Sequence, residues 1–443
     1  MKNKTWIACI FLISIINVFL FWPGNLYFLN DDLLHIPLTD AGYLFQTNSV
    51  RPLHELLVRL DLIIWSKNAY GYHITALLLH LIVCIQLYNV TQVLQTRWLK
   101  MDGGNAYIAS SLAVVLCLAY PQHSEAIAWI LGRTPVLSAI FFLIAFRLFF
   151  VHHFKWHTYL TGAFFFAAAL FTYEQGFFLP VVLLLFYFLE RNKTKKLHMI
   201  TYSLVMAGVS IAYVVARFLI TSEIVGNYEG ENFRSLNVAA LAANGIRLLL
   251  RLFINPANPT TFIFTSIVFF LITAALFLFR KEIKFNRNAV ILFGIMILIL
   301  IAPIISLGIP VTSFESGRFL YIPSIFLVAG LSIAGVSVYY HNQHLQKGLF
   351  LMLVVLSCYW IFGKYKASKD YIKASSYASS IQSKVQQHFT ATSDTLHIDT
   401  LHGSIQRLPV YRLGFKTGVK WLNNNIDTNK IVVRHYVDEV QKK

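Results

Sequence analysis

Charged side chains are scarce in this chain. Asp, Glu, Lys and Arg make up 13% of its 443 residues, whereas 57% of the residues are hydrophobic. Soluble domains carry roughly 25% charged residues. The mean hydropathy is +0.60, so the composition excludes an ordinary soluble enzyme and indicates an integral membrane protein.

Cysteine is also rare, and the chain has no internal repeat and no low-complexity tract. The four cysteines all lie within apolar runs, and no Cys-x-x-Cys pair is present. Small secreted domains and zinc-finger modules need more cysteines in closer spacing. The sequence therefore predicts neither a disulfide framework nor a Cys-x-x-Cys metal site.

Acidic residues are outnumbered, with 20 Asp and Glu against 37 Lys and Arg and a net charge of +17. Such an excess can indicate nucleic acid binding. Here many basic residues form short clusters between apolar runs, which is the topology signal of a multi-pass membrane protein. We therefore expect a lipid bilayer, and no nucleic acid, as the partner of this charge.

Long apolar runs recur along the chain. A hydrocarbon core of about 30 Å requires about 20 apolar residues per helix, which predicts about eleven spans. The first run follows Lys2 and Lys4 and reads either as a signal peptide or as an uncleaved span. The lack of a small-residue cleavage site favours the span. The predicted spans are 5–23, 72–94, 105–120, 134–151, 158–173, 175–190, 199–220, 260–279, 289–308, 319–340 and 348–363.

The charges orient these spans. With the N-terminus in the cytoplasm, the basic runs 191–196 and 280–284 fall inside, and most acidic residues fall in outer loops or at outer helix ends. This arrangement obeys the positive-inside rule. It places the C-terminus on the opposite, periplasmic side.

Two outer loops, 24–71 and 221–259, are long enough to fold. Each contains an amphipathic stretch, Leu53–Trp65 and Val238–Ile254, which the spacing predicts as an interfacial helix. We therefore expect an all-α polytopic membrane domain over 1–363.

The composition becomes polar after position 363. A predicted helix, Tyr365–His388, precedes short alternating stretches at 395–398 and 431–433. We expect 364–443 to form a small α+β appendage on the outer face that leans on the membrane domain, because about 80 residues are near the lower limit for an independent core.

Asp31 and Asp32 directly follow the first span. Ionised carboxylates are costly near a membrane, and adjacent ones repel. Such a pair can supply a general base or bind a divalent metal such as Mg²⁺ or Mn²⁺. One Asp as a helix N-cap is the simpler alternative.

Three arginines lie at outer ends of predicted spans or in outer loops: Arg51, Arg133 and Arg318. A guanidinium pairs with a phosphate through a planar fork. Snorkelling, pairing with a nearby acid and anchoring at the interface are the structural alternatives.

Polar side chains also occupy short turns between apolar runs. His123 and Glu125 follow Pro121, and Glu174 and Gln175 precede Gly176. These side chains can orient sugar hydroxyls or move a proton. Closing and solvating the turn is the structural alternative, and two ligands are too few for a metal signature.

Taken in order, these motifs resemble those of the GT-C class of membrane glycosyltransferases. The likeness is greatest to the O-mannosyltransferase family that carries tetratricopeptide repeats in eukaryotes, and to its bacterial relatives. The repeats themselves are not seen here. The chain also has Tyr173 where the family often has Lys, and Gly317 where it often has Glu. The matching motifs are Asp31-Asp32, Arg51-Pro52, Tyr72-His73 with His80, His123-Ser124-Glu125-Ala126 with Gly132-Arg133, Glu174-Gln175-Gly176, and Arg318-Phe319-Leu320-Tyr321-Ile322-Pro323-Ser324.

The resemblance implies an inverting transferase with a polyprenyl-phosphate sugar donor and a glycan or protein acceptor. It implies that Asp31 is the base and that Asp32 is a base or a metal ligand. It further implies that the three arginines bind the donor phosphate. Sugar or acceptor contacts would come from His73, His123, Glu125, Glu174 and Gln175.

The sequence places this activity at the periplasmic face of a bacterial inner membrane. Two other functions remain open: an O-antigen ligase or polymerase, and a non-enzymatic lipid or polysaccharide transporter. The acidic pair speaks against the first. The outer position of the charges and the lack of inverted repeats speak against the second.

Overall fold

The computed structural model describes residues 12–42, 50–101, 103–150, 155–190, 192–222, 237–278, 287–341, 346–392 and 394–438. Within these ranges the chain is mostly helical. The first part of the predicted span 5–23, residue 191 and the basic run 280–284 lie outside the described residues. The helices are α1 Leu12–Asn25, α2 Asp32–Asp40, α3 Pro52–Trp65, α4 Ala69–Val93, α5 Gly103–Ala119, α6 Ser124–Ala128, α7 Thr134–Leu148, α8 Trp156–Leu170, α9 Leu179–Leu189, α10 Lys193–Thr221, α11 Val238–Arg251, α12 Pro259–Leu278, α13 Arg287–Ile301, α14 Tyr321–His341, α15 Gln346–Ala391 and α16 Phe415–Leu422.

Among the described residues, 4 helical segments are long and apolar enough to cross a membrane. A fifth span results if the pair Gly103–Ala119 and Pro121–Ala128, bent by 56°, is counted as one. The bend falls at Pro121, which cannot continue the hydrogen-bonded helix. The total of about eleven spans stays a prediction. The 4 segments are Ala69–Trp98, Leu131–Leu148, Lys193–Thr221 and Gly317–Val338.

The membrane core forms around α5. This helix packs against α4 and α14, and small side chains line it, including the fully buried Ala109, Ala113 and Cys117. Small residues let helix backbones approach closely inside a membrane domain. Every residue of α5 from Ala109 to Ala119 is buried, so this part of the helix is surrounded by protein.

The predicted amphipathic helix of the first outer loop is present as α3. Its apolar side is exposed, with Ile63 80% and Ile64 64% accessible, whereas His54 and Asp61 are buried. An apolar face turned outward fits contact with lipid. The polar side of α3 is therefore the side that faces the protein.

The C-terminal part contains the predicted strands. β1 (Leu396–His402) pairs in parallel with β4 (Ile431–Val437), and β2 (Ser404–Ile405) pairs antiparallel with β3 (Leu408–Pro409). α15 has 46 residues and at 1.5 Å per residue is roughly 70 Å long, well beyond a hydrocarbon core of about 30 Å. It runs without a break through position 363, so the division of the chain there stays a prediction.

The C-terminal part holds the loop that carries the acidic pair. The Asn30 amide donates to the Val410 carbonyl oxygen at 2.7 Å, and the Leu413 amide donates to Asn30 Oδ1 at 3.0 Å. Gly414 has φ +74°, and a Cβ there would lie 2.7 Å from the Leu33 backbone. The two segments are packed backbone to backbone, which only glycine permits at this point.

Candidate active site

Asp31 lies immediately before α2, where the preceding Asn30 takes a left-handed conformation with φ 45°. Asn30 Nδ2 donates to Asp31 Oδ1 at 2.6 Å, and the Asp31 side chain makes no capping bond to α2. Burial raises the pKa of Asp31, and the positive charges of Arg318, His35 and Arg412 partly offset this rise. The carboxylate is thus oriented by the Asn30 side chain, and Arg318 and Arg412 act on it electrostatically.

Asp32 has a different environment, although it is the next residue. It is fully buried, and its Oδ2 and Oδ1 accept the backbone amides of Leu29 and Leu131, each at 3.0 Å. Burial raises the pKa of Asp32 to about 7, against the lowering effect of the two amide bonds. Its carboxylate fastens the loop before α2 to the turn before α7.

Arg318 and Glu125 bring two of the sequence motifs together. The Arg318 backbone amide donates to Glu125 Oε2 at 2.8 Å, and the Arg318 guanidinium lies 3.4 Å from Glu125 Oε1. The guanidinium also lies over the Trp129 ring, 4.3 Å from its centroid. His123 supports the same junction, because its Nε2 is 2.8 Å from Ser324 Oγ.

Two arginines form ion pairs with Glu174. Arg51 Nη2 lies 2.9 Å from Glu174 Oε2, and Arg217 Nη1 lies 2.8 Å from Oε1. The trio carries a net charge of +1, and Arg51 keeps a side-chain exposure of 33%. Sequence reasoning missed Arg217, although an arginine inside the apolar run 199–220 is itself a signal of function.

Arg133 occupies a different environment from the other two predicted phosphate ligands. Its guanidinium is completely buried, forms an ion pair with Asp61 and donates to the Tyr72 carbonyl oxygen at 3.2 Å. His73 is also fully buried, and Gln175 donates to the Phe319 carbonyl oxygen. Arg133, His73 and Gln175 are therefore all buried in the protein.

His54 and Arg412 are two further charged or titratable residues of this region that the sequence analysis did not name. Burial, followed by the positive charges of Arg133, Arg51, His35 and Arg318, holds the pKa of His54 well below its usual value. His54 is therefore neutral in the midst of these cations. Arg412 comes from the C-terminal part, where it pairs with Glu315 at 2.7 Å and Asp438 at 3.1 Å.

The described residues include one group whose ligand atoms are close enough to share a metal ion, and it consists of His80, Cys84 and Cys117. Asp31 and Asp32 do not belong to it. The predicted Mg²⁺ or Mn²⁺ role of Asp32 stays a prediction, and its two oxygens already accept backbone amides.

Two surface cavities, of about 460 and 480 Å³, lie elsewhere. The first is lined by residues including Trp98 and Lys195, and the second by residues including Leu422 and Lys430. Neither is lined by Asp31 or Arg318, so the site around Asp31 is not part of either cavity.

Sequence comparison finds glycosyltransferases among the relatives of this chain. It is 36% identical over 110 residues to the protein O-mannosyl-transferase Tmtc3 of Drosophila melanogaster, a match covering 22% of this chain and 12% of that protein. It is 34% identical over 98 residues to the human protein O-mannosyl-transferase TMTC3, covering 22% of this chain and 10% of the relative. No family model matches the sequence.

The matched segment is therefore about one tenth of these relatives' length. Within that segment, the resemblance to the O-mannosyltransferase family is confirmed.

Comparison of structures finds ArnT and an archaeal oligosaccharyltransferase among the similar chains. ArnT from Cupriavidus metallidurans, bound to undecaprenyl phosphate, aligns with 99% of this chain and 89% of its own at 12% identity and a TM-score of 0.48. The oligosaccharyltransferase AglB from Archaeoglobus fulgidus, in complex with an inhibitory peptide and a dolichol-phosphate, aligns with 87% of this chain and 58% of its own. The identity is 10% and the TM-score 0.46.

Proposed function

We propose that this protein is a GT-C-type inverting glycosyltransferase that moves a sugar from a polyprenyl-phosphate donor to the hydroxyl of a glycan or protein acceptor. The observation that carries the proposal is the environment of Asp31. Its carboxyl accepts a hydrogen bond from Asn30, burial raises its pKa, and the positive charges of Arg318 and Arg412 lower that pKa. The resemblance of the motifs and the sequence relatives supply the reaction class.

Asp31 is the proposed general base. Its oxygen accepts the proton of the acceptor hydroxyl while the acceptor oxygen forms a bond to the anomeric carbon. The bond from that carbon to the phosphate oxygen breaks, and the polyprenyl phosphate leaves with the electron pair. A carboxyl whose pKa is raised by burial is a stronger base than an exposed one, and its surrounding cations keep the ionised form accessible.

Arg51 with Arg217 is the proposed site of the leaving phosphate, and Arg318 is a second contact. In-line attack places the base and the leaving group on opposite sides of the anomeric carbon. Positive groups at the developing phosphate charge stabilise the transition state.

Glu174 and Glu125, which the sequence predicted as sugar or acceptor contacts, orient arginine side chains in our proposal. Glu174 orients Arg51 and Arg217, and Glu125 orients Arg318. We propose Arg133 as a structural partner of Asp61 rather than a phosphate ligand, because its guanidinium is completely buried. Asp32 is likewise assigned to holding the loop, because both of its carboxylate oxygens accept backbone amides.

We place the reaction at the outer, periplasmic face of a bacterial inner membrane, with the N-terminus in the cytoplasm and the C-terminus outside. The charge distribution of the loops supports this orientation. The exposed apolar side of α3 supports a position of the site at the membrane surface.

The test is sugar transfer by the full chain in proteoliposomes that contain a radiolabelled polyprenyl-phosphate sugar and an acceptor extract. We expect Arg51→Gln and Arg217→Gln each to lower kcat/KM for the donor roughly tenfold or more, since hydrogen bonds to charged groups contribute about 1.5–3 kcal/mol. Arg434→Gln removes an exposed arginine paired with Asp399 and serves as the matched control.

The same assay separates the rival functions. Transfer from a polymeric lipid-linked glycan, with no transfer from the single-sugar donor, would identify a ligase or polymerase. Movement of the lipid across the membrane without a covalent product would identify a transporter. Either result would overturn the proposal.

A further inference from the structure

Two thiols and an imidazole lie close together inside the membrane core and have no role in the proposed reaction. One ring nitrogen of His80 and the sulfur atoms of Cys84 and Cys117 all lie within 4.8 Å of one another, and all three residues are buried. His80 and Cys84 lie one helical turn apart on α4, and Cys117 is near the end of α5. The spacing i, i+4 puts the first two on one face of α4, directed at α5.

The distances suit a tetrahedral metal. The two sulfur atoms are 3.9 Å apart, and two thiolates bound to zinc at about 2.3 Å lie about 3.8 Å apart at the tetrahedral angle. A disulfide requires the sulfurs to be about 2.0 Å apart, and Cys84 and Cys117 are not joined in this way.

The two ring nitrogens of His80 have different environments, as in a metal-binding histidine. Its Nδ1 lies 2.7 Å from the Tyr321 hydroxyl oxygen, while its Nε2 is buried without a hydrogen-bond partner. A metal-binding histidine commonly uses one nitrogen for the metal and donates the other N–H to an oxygen that fixes the ring. A buried, unpaired nitrogen otherwise costs free energy.

We propose that His80, Cys84 and Cys117 bind one Zn²⁺ ion. Two thiolates and a neutral imidazole give the complex a net charge of zero, which avoids the cost of an isolated charge in an apolar interior. Sulfur and imidazole ligands select zinc over Mg²⁺ or Mn²⁺. Lys364 is buried nearby, and its ammonium donates to the carbonyl oxygen of Leu118, the residue after Cys117, at 2.7 Å.

The ion would join α4 and α5 to α14 through Tyr321. This helix follows Arg318, and its Ser324 is bonded to His123. The zinc thus braces the helices behind the Glu125–Arg318 junction. It is a positioning site that does not touch the substrate.

The test measures zinc in the full-length protein, purified in detergent with a reductant and equilibrated with Zn²⁺ before the excess is removed. The background variant Cys9→Ser/Cys358→Ser keeps only the two cysteines of the site, and we expect it to retain about one zinc ion per chain. Adding Cys84→Ser and Cys117→Ser should remove the zinc.

A second measurement is independent of whether the quadruple variant folds. Co²⁺ added to the background variant should give a near-ultraviolet thiolate-to-cobalt absorption and the visible bands of a tetrahedral complex. Equal zinc in the background and folded quadruple variants would overturn the proposal. So would the absence of thiolate–cobalt absorption, or a Cys84–Cys117 disulfide in the protein isolated with zinc.

Discussion

Asp31 and Asp32 are adjacent in the chain, yet their carboxylates have different partners. Asp32 accepts two backbone amides, from Leu29 and Leu131, while Asp31 Oδ1 accepts a side-chain N–H of Asn30. One carboxylate is thereby committed to holding the loop. The other is oriented by a side chain, and Arg318 and Arg412 act on it electrostatically, which is why we assign the chemistry to Asp31 alone.

The structural role of Asp32 predicts a stability effect. Asp32→Ala leaves the amides of Leu29 and Leu131 without their acceptor, and we expect a loss of roughly 1–3 kcal/mol in the free energy of unfolding for an unsatisfied buried donor. Thermal unfolding of the purified protein measures it. Asp31→Asn, which retains an acceptor oxygen for Asn30, should unfold close to wild type. Equal destabilisation by the two variants would contradict the division of roles.

The raised pKa of Asp32 adds a pH dependence to this stability. Its folded pKa of about 7 exceeds the ordinary value of 3.8, so the folded state binds more protons than the unfolded state between these values. The contribution of Asp32 is therefore fully present below the ordinary value and is lost as the pH rises through about 7. Asp32→Ala should remove this component of the wild-type pH profile.

Arg133 and Asp61 should behave as a coupled structural pair. Removing one partner of a buried ion pair typically costs about 3–5 kcal/mol, because the other charge is left uncompensated. We expect Arg133→Met and Asp61→Leu each to destabilise the protein, and the double variant to lose much less than the sum. A double-mutant cycle of unfolding free energies tests this. If Arg133→Met left stability intact and raised only the donor KM, Arg133 would be a phosphate ligand after all.

Arg412 should tune the pH dependence of transfer. Burial raises the pKa of Asp31, and Arg412 is among the cations that lower it. Since activity requires ionised Asp31, it falls as the pH falls through that pKa. Arg412→Gln should raise the pKa and shift the acid limb of the rate profile to higher pH. Arg434→Gln, also in the C-terminal part but exposed, should leave the limb in place. If the acid limb of Arg412→Gln were not shifted, Arg412 would not influence the base.

The sequence predicted the parts of the site that lie in local patterns. The motifs of Glu125 and Arg318 were both recognised, and the structure joins these residues although they are 193 positions apart. The helix α3 and the strands near 396 and 431 followed from periodicity. The amphipathic face of α3 was also visible, because alternation of apolar and polar residues depends only on neighbours in the chain.

Other features depended on distant packing that no local pattern reports. The sequence places Arg133 at the start of a predicted span. It does not reveal the ion pair with Asp61, which lies 72 positions earlier in the chain. Arg412 acts electrostatically on Asp31, and the segment that contains it is held near the acidic pair by hydrogen bonds between 410–414 and Asn30. The number of spans was predicted from apolar length alone, although the end of the span 105–120 at Pro121 followed from the proline itself.

The central claim is that Asp31 is the base of sugar transfer. The most direct measurement compares Asp31→Asn with Asp40→Asn in the proteoliposome assay, each verified as folded by its unfolding temperature. Asp40 lies at the other end of α2 and accepts from Trp421 Nε1 at 2.8 Å, a bond that asparagine can retain. We expect Asp40→Asn to keep wild-type transfer and Asp31→Asn to lose a factor of about 10²–10⁴, the usual contribution of a general base. Full activity of a folded Asp31→Asn protein would contradict the account.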